Sequence, residues 1–126
     1  MRTNEMTHVV GYGALGREIV RQLLAAGRAV TVIQRRKPAD LPDDARFISA
    51  DIMEREAIIA ALAGASAVIS ALGLPYQAVL WENGWPLAMS NLLDACEAAG
   101  ARLTFADNLY LYGNTSGPIT EDLPAA

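Results

Sequence analysis

Val9-Val10 runs directly into Gly11-Tyr-Gly13-Ala-Leu-Gly16, and a helical stretch follows without a break. Three glycines at this spacing, between a short apolar strand and a helix, constrain the chain more than any other feature. The first permits a tight turn out of the strand, the second lets the main chain be approached without a Cβ in the way, and the third lets helix and strand pack closely. The helix places Leu15, Ile19, Leu23 and Ala26 on one face, with Arg17, Glu18, Arg21 and Gln22 elsewhere, and Gly27 supplies a stop.

The same alternation continues. Ala29 to Gln34 reads as a second buried strand, and Arg35 to Ala45, with two prolines and three Asp, as a loop. A third strand is expected at Phe47 to Ala50. Asp51-Ile-Met-Glu54 has the spacing of a capping box, which predicts a helix running to about Leu62 with Gly64 as its terminator. Ala67 to Ala71 is a fourth apolar strand, Leu72 to Gly84 a loop, and Pro86 stands in the first turn of another helix. That helix carries Met89, Leu92, Leu93, Cys96 and Ala99 as its expected buried stripe, with Ser90, Asn91, Asp94 and Glu97 outward. Leu103 to Ala106 is a fifth strand, and Asp107 to Ala126 an irregular tail. Short continuous apolar strands alternating with helices specify an α/β fold with a parallel sheet covered on both faces. Right-handed crossovers make it doubly wound, with expected strand order 3-2-1-4-5. The chain then reverses direction between the first and fourth strands, where ligands bind such sheets. Residues 1–126 form one domain in this reading.

Composition removes other classes. With 52% apolar and 19% charged residues the chain is not a disordered one. A net charge of −4 argues against general affinity for nucleic acid or an anionic membrane surface. Ala57 to Trp81 carries no charge, yet Gly64, Ser66, Ser70, Gly73 and Pro75 punctuate it, so a membrane span is rejected. A single cysteine, Cys96, excludes an internal disulfide, and Met1 to Thr7 holds no apolar run. A reducing, cytoplasmic setting is therefore expected.

The glycine turn at a helix amino terminus is suited to a dinucleotide pyrophosphate, which meets free N–H groups at the positive end of the helix. The second strand ends in Gln34-Arg35-Arg36-Lys37, with no carboxylate before Asp40. An acid there would accept from the adenosine ribose hydroxyls, whereas guanidinium groups suit a 2′-phosphate, so NADP is expected over NAD. Alternatively the basic run is only a solvated loop. Asp51, after the third strand, could accept from an adenine amino group or only satisfy backbone donors. His8 has no partner at ligand spacing and reads as a surface or edge histidine, so no metal site is expected. Trp81, Trp85 and Tyr76 could form a lid over the substrate side or cover an apolar gap.

Gly11-Tyr-Gly-Ala-Leu-Gly16, Asp51-Ile52, Ala71-Leu-Gly73, Asn91-Leu-Leu-Asp-Ala95 and Tyr112-Gly113, followed by Gly117-Pro-Ile-Thr-Glu121, together resemble the amino-terminal half of the NAD(P)-dependent epimerase/dehydratase family. These are the extended or atypical short-chain dehydrogenases/reductases. The resemblance implies a Rossmann fold in which Gly11, Tyr12, Gly13, Ala14, Leu15 and Gly16 hold the pyrophosphate. Gln34, Arg35 and Arg36 would meet the 2′-phosphate end, Asp51 and Ile52 the adenine, and Ala71, Leu72 and Gly73 the ribose and nicotinamide side. It implies an oxidoreductase or epimerase acting on a small hydroxy or carbonyl substrate, sugar nucleotides included.

Two departures bear on catalysis. Family members carry Ser or Thr at the end of strand five, where this chain has Asn108, and the Tyr-x-x-x-Lys pair that supplies the general base is not found in these 126 residues. Asn108 and Tyr112 are the candidates that remain. The expectation is of a partial chain lacking a carboxy-terminal substrate lobe, its sheet edge covered by a homodimer partner or by a further segment. A non-catalytic NADP-binding redox sensor or regulatory module is the second reading, and a scaffold for FAD or S-adenosylmethionine a third.

Overall fold

The computed structural model of the chain describes residues 6–72 and 80–106. Five strands, β1 (Met6–Val10), β2 (Ala29–Gln34), β3 (Arg46–Ser49), β4 (Ala67–Ser70) and β5 (Arg102–Phe105), form one sheet. Helix α1 (Ala14–Ala25) joins β1 to β2, α2 (Arg55–Ala61) joins β3 to β4, and α3 (Trp85–Ala99) precedes β5 after a π-helical turn at Leu80–Gly84. The order is β3-β2-β1-β4-β5 and every pairing is parallel. The doubly wound α/β architecture read from the sequence is the one observed.

Register explains why the strands read as unbroken apolar runs. Val9 aligns with Val32 on one side and Ile69 on the other, while Val10 aligns with Ile33 and Ser70. Successive residues point to opposite faces, so β1 and β2 need apolar side chains at both parities. On one face Val9, Val30 and Val32 pack with Val20 of α1 and with Tyr12. On the other Val10, Ile33 and Val68 pack with Ile58 and Leu62, and with Leu92 and Cys96 of α3. Full burial of each of the large aliphatics contributes about 1.5–3 kcal/mol, which is what holds both helical layers to the sheet.

Several local expectations are corrected. On α1, Gly16 and Val20 are the fully buried positions, and Leu15 and Ala26 are exposed. The stripe is turned by one residue because Gly16 must face the strand. On α3, Asn91 is buried at 2% exposure while Leu93 stands 51% exposed. Ala88, Asn91, Leu92, Ala95 and Cys96 face inward, and small side chains there let α3 approach α2. His8 is neither a surface nor an edge residue: it lies on the central strand at 4% exposure, because strands flank β1 on both sides. The capping box does not form. α2 starts at Arg55, Glu54 makes no side-chain cap, and the Asp51 carboxylate turns onto the Met53 N–H (3.0 Å) two residues on.

Candidate functional site

At the carboxyl end of β1 the three glycines face three different demands. Gly11 has φ +98°, and a Cβ there would lie 2.8 Å from the Ala71 carbonyl oxygen. The glycine turn and the end of β4 therefore abut, and they border the crevice where the sheet order reverses. A Cβ on Gly16 would lie 2.3 Å from the Gly11 carbonyl oxygen, so that glycine lets α1 start against the turn. Gly13 is different. Its backbone is extended (φ −83°, ψ −157°), and no described atom lies within 4 Å of a Cβ placed on it. Neither conformation nor packing requires glycine at 13. What it keeps bare is space outside the turn.

Gly13 is also the N-cap of α1 and offers no side-chain cap, and no acid stands in the first turn. The first N–H groups of a helix carry partial positive charge and need acceptors. A bare approach to uncapped amides fits a pyrophosphate by shape and by charge.

Tyr12, between these glycines, is held at both ends of its backbone. Its N–H donates to Gln34 Oε1 (3.0 Å), and its carbonyl accepts from Arg17 Nη1 (2.9 Å). Gln34 Nε2 donates in turn to the Arg36 carbonyl (2.9 Å), and Ser49 Oγ to the Arg35 carbonyl (2.7 Å). The amide of Gln34 thereby ties the glycine turn to the basic segment. Arg17 adds a second tie. Its guanidinium lies 4.9 Å over the Tyr12 ring and pairs with Asp40 (2.8 Å) in the loop that follows β2. Burial, then the nearby Asp40 charge, raise the Tyr12 phenol above its ordinary value against the opposing effect of Arg17. The hydrogen bond from Arg17 lowers the Asp40 carboxyl. Sequence reading gave Arg17 and Asp40 no part in the site, because nothing in their spacing joins them before β1, β2 and the loop fold together.

Of the residues singled out in the sequence, Gly11, Tyr12, Gly13, Ala14, Leu15, Gly16, Gln34, Arg35, Arg36, Asp51, Ile52, Ala71 and Leu72 lie at or just after the carboxyl ends of β1 to β4 or in the first turn of α1. Arg35 and Arg36 are exposed, Asp51 half-buried and Ile52 buried. Gly73, Tyr76, Asn108 and Tyr112, and the Trp81 side chain, lie outside the described residues. Trp85 packs edge-on against Phe105 at 6.1 Å between ring centroids, as a cover for the end of β5. A groove of about 590 Å³, lined by Thr7, Leu23, Arg28, Ala67, Ile69 and Arg102 among others, opens at the opposite end of the sheet and plays no part in this site. Among the described residues no group of three His, Cys, Asp or Glu could hold a metal ion, and no helix is long and apolar enough to cross a membrane.

A parallel sheet whose first strand delivers a bare glycine turn to an uncapped helix, at the point where strand order reverses, defines a dinucleotide-binding protein. The chain belongs to the NAD(P)H-binding family, whose model matches residues 11–121. The human sterol-4-alpha-carboxylate 3-dehydrogenase, decarboxylating, is 31% identical over 126 residues, covering 95% of this chain and 34% of that protein. Among solved structures, the UDP-glucose 4-epimerase of Thermus thermophilus in complex with NAD aligns at TM-score 0.81 and 25% identity, over 96% of this chain and 44% of that one. A short-chain dehydrogenase/reductase superfamily protein of Agrobacterium tumefaciens with bound NAD aligns at TM-score 0.79 and 27% identity, over 97% and 39%. The chain spans about a third of the length of the curated relatives it matches end to end. The resemblance to the epimerase/dehydratase family read from its motifs stands with these relatives.

Proposed function

We propose that residues 1–126 are the cofactor-holding domain of an NADP(H)-dependent oxidoreductase or epimerase acting on a small hydroxy or carbonyl substrate, with sugar nucleotides as the favoured class. The observation that carries this reading is Gly13: a glycine that neither backbone nor packing requires, at the head of an uncapped helix. The α1 amides would hold the pyrophosphate, Asp51 and Ile52 the adenine, and Ala71 to Gly73 the nicotinamide side. Arg35 and Arg36, fixed by their carbonyls and free at their guanidinium ends to reach solvent, support a 2′-phosphate and hence NADP. The bound nicotinamide supplies the two-electron redox step, and the protein's part is to bind and orient it. Asn108 and Tyr112 are the residues proposed to meet the substrate. The UDP-glucose epimerase with NAD among the structural relatives supports the sugar-nucleotide class.

Fluorescence titration of NADPH and NADH tests the cofactor reading. Binding of NADPH in preference to NADH is expected, and Arg35→Glu should weaken NADPH by about 10- to 100-fold, the worth of a charge-assisted contact, while leaving NADH within about two-fold. Unchanged selectivity in that variant rejects the 2′-phosphate assignment. Binding of neither dinucleotide rejects the whole reading.

A further inference from the structure

The inward face of α3 is apolar except at one position. Ala88, Leu92, Ala95 and Cys96 pack into the core, and among them Asn91 is 2% exposed. A buried carboxamide costs stability unless its donors and acceptors are met. Asn91 Nδ2 donates to the Ile52 carbonyl at 2.8 Å, across 39 residues of sequence. That carbonyl belongs to the residue directly after Asp51. Around it the segment is closely held: Asp51 Oδ1 accepts from Met53 N–H (3.0 Å), the Asp51 carbonyl accepts from Glu54 N–H (2.9 Å), and one turn further along α3 Asp94 Oδ2 accepts from Arg55 Nε (3.1 Å). α3 thus grips the Asp51–Arg55 segment at both ends, once in the core and once at the surface.

We infer that Asn91 is a positioning residue for the adenine end of the nucleotide site: by fixing the Ile52 carbonyl from behind, it sets the Asp51 carboxylate so that Oδ2 can accept from an adenine amino group while Oδ1 serves Met53. The inference rests on the cofactor reading above and deepens it. It makes α3, to which the cofactor reading assigns no contact with the nucleotide, a determinant of base recognition. The buried hydrogen bond is spent on one loop carbonyl at the one polar position of an otherwise apolar face.

The test compares NADPH with its hypoxanthine analogue, in which the adenine amino group is replaced by a carbonyl, by fluorescence titration of the 126-residue chain. The unaltered chain should prefer NADPH. In Asn91→Leu, similar in volume but unable to donate, NADPH affinity should fall by about two- to ten-fold, the worth of one hydrogen bond. The analogue's affinity should stay within about two-fold, so the preference collapses. Asn91→Ser, which removes the reach to Ile52 and leaves a small polar side chain, repeats the test should Asn91→Leu not fold. Equal losses for both dinucleotides, or no loss for either, overturn the positioning role and leave the cofactor reading intact. An unaltered chain that binds both equally overturns the Asp51 contact and this inference with it, and one that binds neither overturns the cofactor reading itself.

Discussion

Gly13 and Gly16 stand three residues apart in one motif, yet alanine at each should fail in a different assay. In Gly16→Ala the new Cβ would sit 2.3 Å from the Gly11 carbonyl oxygen, more than about 1 Å inside ordinary contact distance. The carbonyl is turn backbone and the Cβ is fixed rigidly by the backbone of α1, so no side-chain rotation relieves the clash and the helix must move off β1. Overpacking costs about 1–3 kcal/mol, with the upper end expected where backbone must move, and for a domain of this size that upper end lowers the melting temperature by on the order of 10 °C. In Gly13→Ala the Cβ meets no described atom and φ is −83°, so the gain of about 0.4–1 kcal/mol from a stiffer unfolded chain is offset by the poorer N-cap that Ala makes for α1, and stability should change by less than about 1 kcal/mol. The same methyl fills the approach to the α1 amides and should cost about 10- to 100-fold in NADPH affinity, the range of a lost charge-assisted hydrogen bond. Calorimetric melting and NADPH titration on both variants separate the two effects. If Gly13→Ala binds NADPH as tightly as the unaltered chain, the pyrophosphate does not lie over that turn. If it melts as low as Gly16→Ala, the division of labour between the glycines is wrong.

Burial lowers the His8 imidazole below its ordinary value, and its Nδ1 has no hydrogen-bond partner among the described residues, so the folded state holds it neutral while the unfolded chain protonates near pH 6.5. Stability attributable to this group is complete above that pH and falls as pH drops through 6.5 toward the lowered folded value; urea denaturation between about pH 8 and 5 should show the decline, and His8→Val should flatten it. Leu92→Ala, at a fully buried contact between α3 and the sheet, should cost about 2–5 kcal/mol in the same assay, a smaller loss indicating that the two layers close over the gap. Hydrogen bonds from Arg21 and Gln22 hold the Glu18 carboxyl at about 2. In Arg21→Ala an NMR titration should find it raised toward the usual carboxylate range, with the melting temperature almost unmoved because both side chains lie in solvent.

The strand order was legible in the sequence because two independent signals agreed: apolar runs too continuous for a one-sided sheet, and a glycine motif whose geometry exists only between a strand and a helix. The border of the crevice was legible for the same reason, since Gly11 and Ala71 each close a strand. The helix faces were harder to read. Ranking by hydropathy placed Leu93 inside and Asn91 outside, whereas the contact between α2 and α3 selects small side chains and can admit a carboxamide that has a buried carbonyl to meet. His8 was misread because polarity suggested an edge, while burial followed from where β1 sits in the sheet. The ties made by Gln34 and Arg17 were invisible to pattern alone. Each joins residues brought together only when β1, β2 and the following loop fold on one another.

The amide of Gln34 has its own consequence for how coenzyme choice could change in this lineage. Its oxygen faces an N–H of the glycine turn and its nitrogen faces a carbonyl of the basic segment. Exchange to Glu, the one-step route toward ribose recognition, would keep the first bond and set a carboxylate against the Arg36 carbonyl in place of the second. On the proposed NADP reading, drift toward NAD has to rebuild that corner in concert, and single substitutions at position 34 should not switch the coenzyme.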